Sequence, residues 1–178
     1  MQLIDALFDL CKDSAQPIIA IDGPAGAGKT TLAEHLTAAL SLRYRVATLH
    51  MDDFYDGWDE PFDNTFQSAI KSACVAHQKS EPCSLSRYDW HAGKFGQAEP
   101  LPPSQLLILE GVASLDREFR PFLTASIWIE IDPKIGFERV ISRDGEAISA
   151  PMNQWLNQQA QHFLENDSQN AADFVLTN

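Results

Sequence analysis

Apolar residues fall into short unbroken runs separated by stretches with helical spacing. Pro17-Ile18-Ile19-Ala20-Ile21 and Leu106-Leu107-Ile108-Leu109 are continuous apolar runs, the pattern of strands buried on both faces. Arg45 to His50, Ser126 to Ile131 and Phe174-Val175-Leu176 read as further strands. Between them, Leu32, Leu36, Ala39 and Leu40 share one face of a helix predicted from Lys29 to about Leu42. Leu3, Ala6, Leu7 and Leu10 predict a short amphipathic helix within residues 1–15. Further helices are predicted over 65–78 with Asn64 as N-cap, over 135–143, and over 152–166. Residues 80–105 hold four prolines around Arg87-Tyr88-Asp89-Trp90-His91 and read as one long irregular loop. Strands alternating with helices predict an α/β fold: a three-layer sandwich of about five parallel strands with helices on both faces, in one domain over 1–178.

One segment changes this picture from architecture to chemistry. Gly23-Pro24-Ala25-Gly26-Ala27-Gly28-Lys29-Thr30 matches G-x-x-x-x-G-K-[ST] where a predicted strand gives way to a predicted helix. Glycines let the backbone turn so that successive N–H groups face phosphate oxygens, and the new helix directs its positive end at the same anion. Lys29 has the reach for the β- and γ-phosphates, and the Thr30 hydroxyl suits Mg²⁺. Gly23, Gly26, Ala27, Gly28, Lys29, Thr30 and Thr31 are therefore the expected ATP-binding residues of a P-loop NTPase fold.

Phosphoryl transfer also requires a carboxylate by the metal, a group for the acceptor hydroxyl, and cations over the transferring phosphate. Glu110 directly follows a buried strand, at the carboxyl end where open α/β sheets bind ligands. It is a candidate metal-side and substrate-side carboxylate; a solvated acid at a strand end is the alternative. Asp52 and Asp53 stand just past another strand, where one carboxylate of the pair is a candidate to hold Mg²⁺ or to accept the proton of the attacking hydroxyl. Six acids and no base lie between Asp52 and Asp63, which otherwise reads as a solvated loop. Arg139 and Arg143, four apart on a predicted helix, are candidate catalytic cations of a lid over 139–155. Surface pairing with Glu138 or Asp144 is their alternative role. No Lys or Arg follows them.

Charge and composition narrow the partners. Thirteen Lys plus Arg against 25 Asp plus Glu leave a net charge of −12, which argues against non-specific nucleic-acid binding. No run approaches a membrane span, and the N-terminal stretch lacks the basic region of a signal peptide. Three scattered cysteines fit free thiols in a cytoplasmic protein. The expected partner is a small-molecule substrate; oligomeric state is not legible.

In order along the chain, GPAGAGKTT, DDFY at Asp52–Tyr55, RYDWH, LILEG and IWIEIDPKIGFERVISRD resemble the uridine kinase-like branch of P-loop kinases. Pantothenate kinase and phosphoribulokinase share that core. The resemblance implies an ATP- and Mg²⁺-dependent kinase acting on a hydroxyl of a small molecule, uridine or cytidine first. It implies Asp53 as acceptor-side base, and Tyr55, Tyr88 and His91 as lining of the acceptor pocket in residues 80–105 and around them. The chain departs from the family in the loop Asp56-Gly57-Trp58-Asp59 and in lacking further lid arginines. A nucleotide-binding switch with slow hydrolysis is the competing reading, since a P-loop alone serves both.

Overall fold

The computed structural model describes residues 3–178. The first two positions of the predicted N-terminal helix lie outside the described residues. The elements, in chain order, are α1 (Leu3–Cys11), β1 (Ile18–Asp22), α2 (Lys29–Leu40), β2 (Val46–His50), α3 (Asn64–Lys79), β3 (Ser84–Asp89), β4 (Lys94–Pro100), β5 (Leu106–Glu110), β6 (Ala125–Glu130), α4 (Pro133–Asp144), α5 (Ser149–Asn166) and β7 (Phe174–Thr177). Five strands form one parallel sheet in the order β2-β5-β1-β6-β7.

Successive side chains of a strand point to opposite faces, so each apolar run feeds two cores. Ile18, Ala20, Leu107 and Leu109 pack with Phe66 and Ile70 of α3 and Trp155 of α5. Ile19, Ile21, Leu106 and Ile108 pack on the other face with Leu7 and Cys11 of α1 and Leu36 and Leu40 of α2. That is the three-layer sandwich expected from the continuous apolar runs. Within α1 the buried stripe is Ala6, Leu7 and Cys11, whereas Leu10 is exposed: the apolar face ends on the cysteine.

Two local expectations are corrected. The N-cap of α3 is Asp63, whose carboxylate accepts the Phe66 backbone N–H at 2.8 Å; Asn64 is already helical. Residues 80–105 are not one irregular loop but hold an antiparallel hairpin, β3 with β4, that forms its own two-stranded sheet. Its strands are exposed at most positions and offered little apolar alternation to read. At its tip the Asp89 carboxylate accepts the backbone N–H groups of His91 and Ala92, each at 2.9 Å, and these hold its pKa below the usual range. The segment 139–155 is helical through the end of α4, a 3₁₀ turn at Glu146–Ile148, and the start of α5.

Candidate active site

The site grows out of the carboxyl ends of β1, β2 and β5, which the sheet order sets side by side. Residues 23–28 leave β1 and run into α2, with Gly23, Gly26 and Gly28 all at positive φ. Gly26 lies against Gly136 of α4 so closely that a Cβ on it would fall 2.8 Å from the Gly136 Cα. Conversely, a Cβ on Gly136 would fall 2.6 Å from the Ala25 carbonyl oxygen, so loop and helix meet backbone to backbone. Gly136→Val is expected to push them apart at a cost of about 1–3 kcal/mol. Thermal melting with and without ATP checks this: a lowered Tm with a smaller ATP-induced rise is the expected result.

Lys29 is buried, and its ammonium donates to the carbonyl oxygens of Gly23 and Pro24, both at 2.8 Å. Burial lowers its pKa, against the opposing pull of Asp22, Glu110 and Asp52. Asp22, which no sequence motif singles out, is fully buried and accepts the N–H groups of Gly23 at 2.7 Å and Leu115 at 2.9 Å. It thereby ties the start of the loop to the segment after β5. Burial pushes its pKa up to about 7.

Register explains the next contact. His50, the last residue of β2, pairs with Glu110, the last of β5. The His50 Nδ1 lies 2.6 Å from Glu110 Oε2, and the Thr30 hydroxyl donates to Glu110 Oε1 at 3.2 Å. Glu110 is buried and bridges the two, and its hydrogen bond raises the His50 pKa. His50 carries no motif; only its strand-end position beside Glu110 could have flagged it.

A cavity of about 400 Å³ opens over these groups. Gly26, Gly28, Lys29, Thr30 and Thr31 form one end of its wall, and Glu110 and Asp52 follow. Gly23 and Ala27, in the same loop, are buried and do not line the cavity. Arg139 and Arg143 reach the wall from α4; Arg139 donates to the Gly26 carbonyl oxygen at 3.3 Å. Arg143 is held by both carboxylate oxygens of Asp144, at 2.7 and 2.6 Å, which was the alternative role foreseen for it. An exposed pair of this kind is worth about 0–1 kcal/mol, so a bound triphosphate can draw the guanidinium away.

The two adjacent aspartates separate. Asp52 lines the cavity, and partial burial there raises its pKa, followed by repulsion from Glu110 and Asp53. Asp53, half-buried at the end of the 3₁₀ turn Met51–Asp53, is ion-paired with Arg87 of the hairpin. Of the pair, Asp52 and not Asp53 lines the cavity, and the Asp53 carboxylate is taken by Arg87. Tyr55 does line the cavity, but its hydroxyl is spent on the Val112 carbonyl oxygen at 2.8 Å. Neither Tyr88 nor His91 reaches the wall. Tyr88 packs edge-on behind Trp90, at 5.1 Å between ring centroids, and His91 is exposed at the hairpin tip. Trp58, Trp90, Met152 and Trp155 take those places.

Among the described residues no three His, Cys, Asp or Glu side chains converge into a metal cage. Thr30, Glu110 and Asp52 are nevertheless hard oxygen donors beside a phosphate-binding loop, the donor set that suits Mg²⁺ carried on a nucleotide. No helix among the described residues is long and apolar enough to cross a membrane.

Sheet order, phosphate loop and strand-end carboxylate together define a P-loop NTPase fold of the kinase-like kind. The chain belongs to the AAA domain family, whose model matches residues 19–163. Solved structures agree on the fold. A candidate uridine kinase from Bacillus stearothermophilus is 20% identical with a TM-score of 0.66, over 99% of this chain and 100% of its own. A candidate fructose transport system kinase from Silicibacter sp. TM1040 is 19% identical with a TM-score of 0.73, over 98% and 99%. A D-glycerate 3-kinase from Cryptococcus neoformans var. grubii is 12% identical with a TM-score of 0.59, over 93% and 84%. No curated protein sequence matches the chain.

Proposed function

We propose that the protein is an ATP- and Mg²⁺-dependent kinase that moves the γ-phosphoryl group of ATP to a hydroxyl of a small molecule. The observation that carries this is one cavity walled at one end by Lys29 and Thr30 and further along by Asp52 and an aromatic surface. A switch protein needs the first end but has no use for the second.

In this reading the backbone N–H groups of residues 23–28 and the Lys29 ammonium cradle the phosphates. Lys29 must exchange its two carbonyl partners for phosphate oxygens, which a mobile ammonium on a four-carbon stem can do. Thr30 and Glu110 would hold Mg²⁺, which would supply charge neutralisation on the nucleotide phosphates, leaving the Asp52 carboxylate free to act as a base. Asp52 faces the acceptor. The acceptor oxygen bonds to the γ-phosphorus, the bond to the β-phosphate oxygen breaks to release ADP, and the hydroxyl proton passes to the Asp52 carboxylate. Arg139 and Arg143 cover the transferring group from α4. Asp53 orients the hairpin through Arg87 rather than touching substrate.

Uridine and cytidine lead the acceptors by the sequence resemblance, and the fold shared with sugar- and glycerate-acting kinases keeps other alcohols in the set. The test is ADP formation from Mg·ATP with and without each acceptor. Acceleration by an acceptor supports the kinase; a slow rate unmoved by every acceptor, with ATP still raising Tm, supports the switch. Asp53→Asn is expected to lower kcat far less than Asp52→Asn, and the reverse ranking in steady-state rates would return the base to Asp53.

A further inference from the structure

Resting on the kinase reading, we infer that the acceptor is an uncharged alcohol carrying a ring face, and that Trp58, Trp90 and Trp155 select it. Three indoles from three distant segments meet on one wall of the cavity. Trp58 packs edge-on against Trp90 at 5.2 Å and against Trp155 at 6.0 Å between centroids. Their arrangement is built rather than incidental. Gly57, at φ 71°, turns the chain so that Trp58 enters the wall, and a Cβ there would meet the Tyr88 hydroxyl at 3.1 Å. Trp90 donates from Nε1 to the Asp52 backbone carbonyl at 3.1 Å, which couples the hairpin tip to the residue that faces the acceptor hydroxyl. Trp90 nevertheless remains 40% exposed, and indoles left open beside a polar group are the usual partners of ring-shaped ligands.

Charge decides the rest. The cations of the cavity wall are Lys29, on the phosphate loop, and Arg139 and Arg143, on α4. In the kinase reading Arg139, on the loop carbonyl of Gly26, and Arg143, drawn from Asp144, are both committed to the triphosphate. Beside the indoles the ionisable group is the Asp52 carboxylate, and the nearby Arg87 is consumed by Asp53. A carboxylate or phosphate on the acceptor would therefore meet repulsion and find no free partner, at a desolvation cost that stacking does not recover. Glycerate, gluconate and pantothenate are disfavoured on this ground. Pyrimidine nucleosides and ring-form sugars both offer what the wall accepts.

The test is isothermal titration calorimetry with Mg²⁺ and a non-hydrolysable ATP analogue present. The probes are uridine, cytidine and D-fructose against D-glycerate, D-gluconate and pantothenate, with wild type and Trp58→Leu. At least one uncharged ring compound is expected to bind about tenfold or more tighter than every anion, a margin near 1.4 kcal/mol. Trp58→Leu is expected to weaken that binding about tenfold, while ATP still raises its Tm as in wild type. Uridine or cytidine alone binding points to aromatic stacking; fructose alone binding points to a sugar face. An anion that binds as tightly, binding by none of the uncharged probes, or unchanged affinity in Trp58→Leu overturns the inference. Tight binding of an uncharged ring compound that is never phosphorylated sinks the kinase reading alone, whereas phosphorylation of glycerate or gluconate sinks this inference alone.

Discussion

Lys29→Ala is expected to lower phosphoryl transfer by about 10³-fold or more, the scale on which single cations over a transferring phosphoryl group act. The loss falls on kcat, because the charge it removes matters most when negative charge builds on the γ-oxygens. Stability is a separate question with a clear sign. The ammonium is buried and held only by two backbone carbonyls, and burial opposes its charge. Removing it relieves that desolvation, which offsets the loss of its hydrogen bonds to the two carbonyls. A Tm close to wild type is therefore expected alongside the lost activity. Circular dichroism melting and the transfer rate measured on the same preparation check both halves.

Asp52→Asn is the second large effect. A positioned general base contributes about 10²–10⁴-fold, so kcat is expected to fall by that order while ATP affinity changes little. The pH dependence carries a sign that can be worked out. Partial burial, then Glu110 and Asp53, raise the Asp52 pKa above the ordinary carboxylate range. A base must be ionised to act, so the wild-type rate should fall with acid at a pH above that expected for a free aspartate. In Asp52→Asn this acid limb should vanish from the remaining activity. A limb that persists unchanged in the variant assigns it to another group, His50 with its raised pKa being the first candidate.

What could be read from the chain divides by range. The phosphate loop was legible because its chemistry is local: eight consecutive residues hold the turn, the cation and the hydroxyl. The five-stranded sheet was legible because its strands are unbroken apolar runs buried on both faces. The strand-end position of Glu110 was legible for the same reason. The choice between Asp52 and Asp53 was not legible. Neighbours on a 3₁₀ turn diverge, and the partner that takes Asp53, Arg87, lies on a strand 34 residues away in sequence. Trp58, Trp90 and Trp155 lie on a loop, a hairpin tip and a helix, and only the tertiary fold assembles them. The hairpin itself was hidden because a mostly solvated two-stranded sheet lacks the apolar alternation that marks a half-buried strand. His50 was missed because its partner, Glu110, is set by strand register, which a one-dimensional pattern does not carry.

The central claim is that the γ-phosphoryl group goes to an alcohol rather than to water. The most direct measurement follows that group itself, by phosphorus NMR of Mg·ATP incubated with the protein and each acceptor, with Lys29→Ala as the blank. A phosphomonoester resonance that grows in step with ADP, and is absent from the blank, is the result this account predicts. Inorganic phosphate as the sole product, at a rate no acceptor alters, would contradict it.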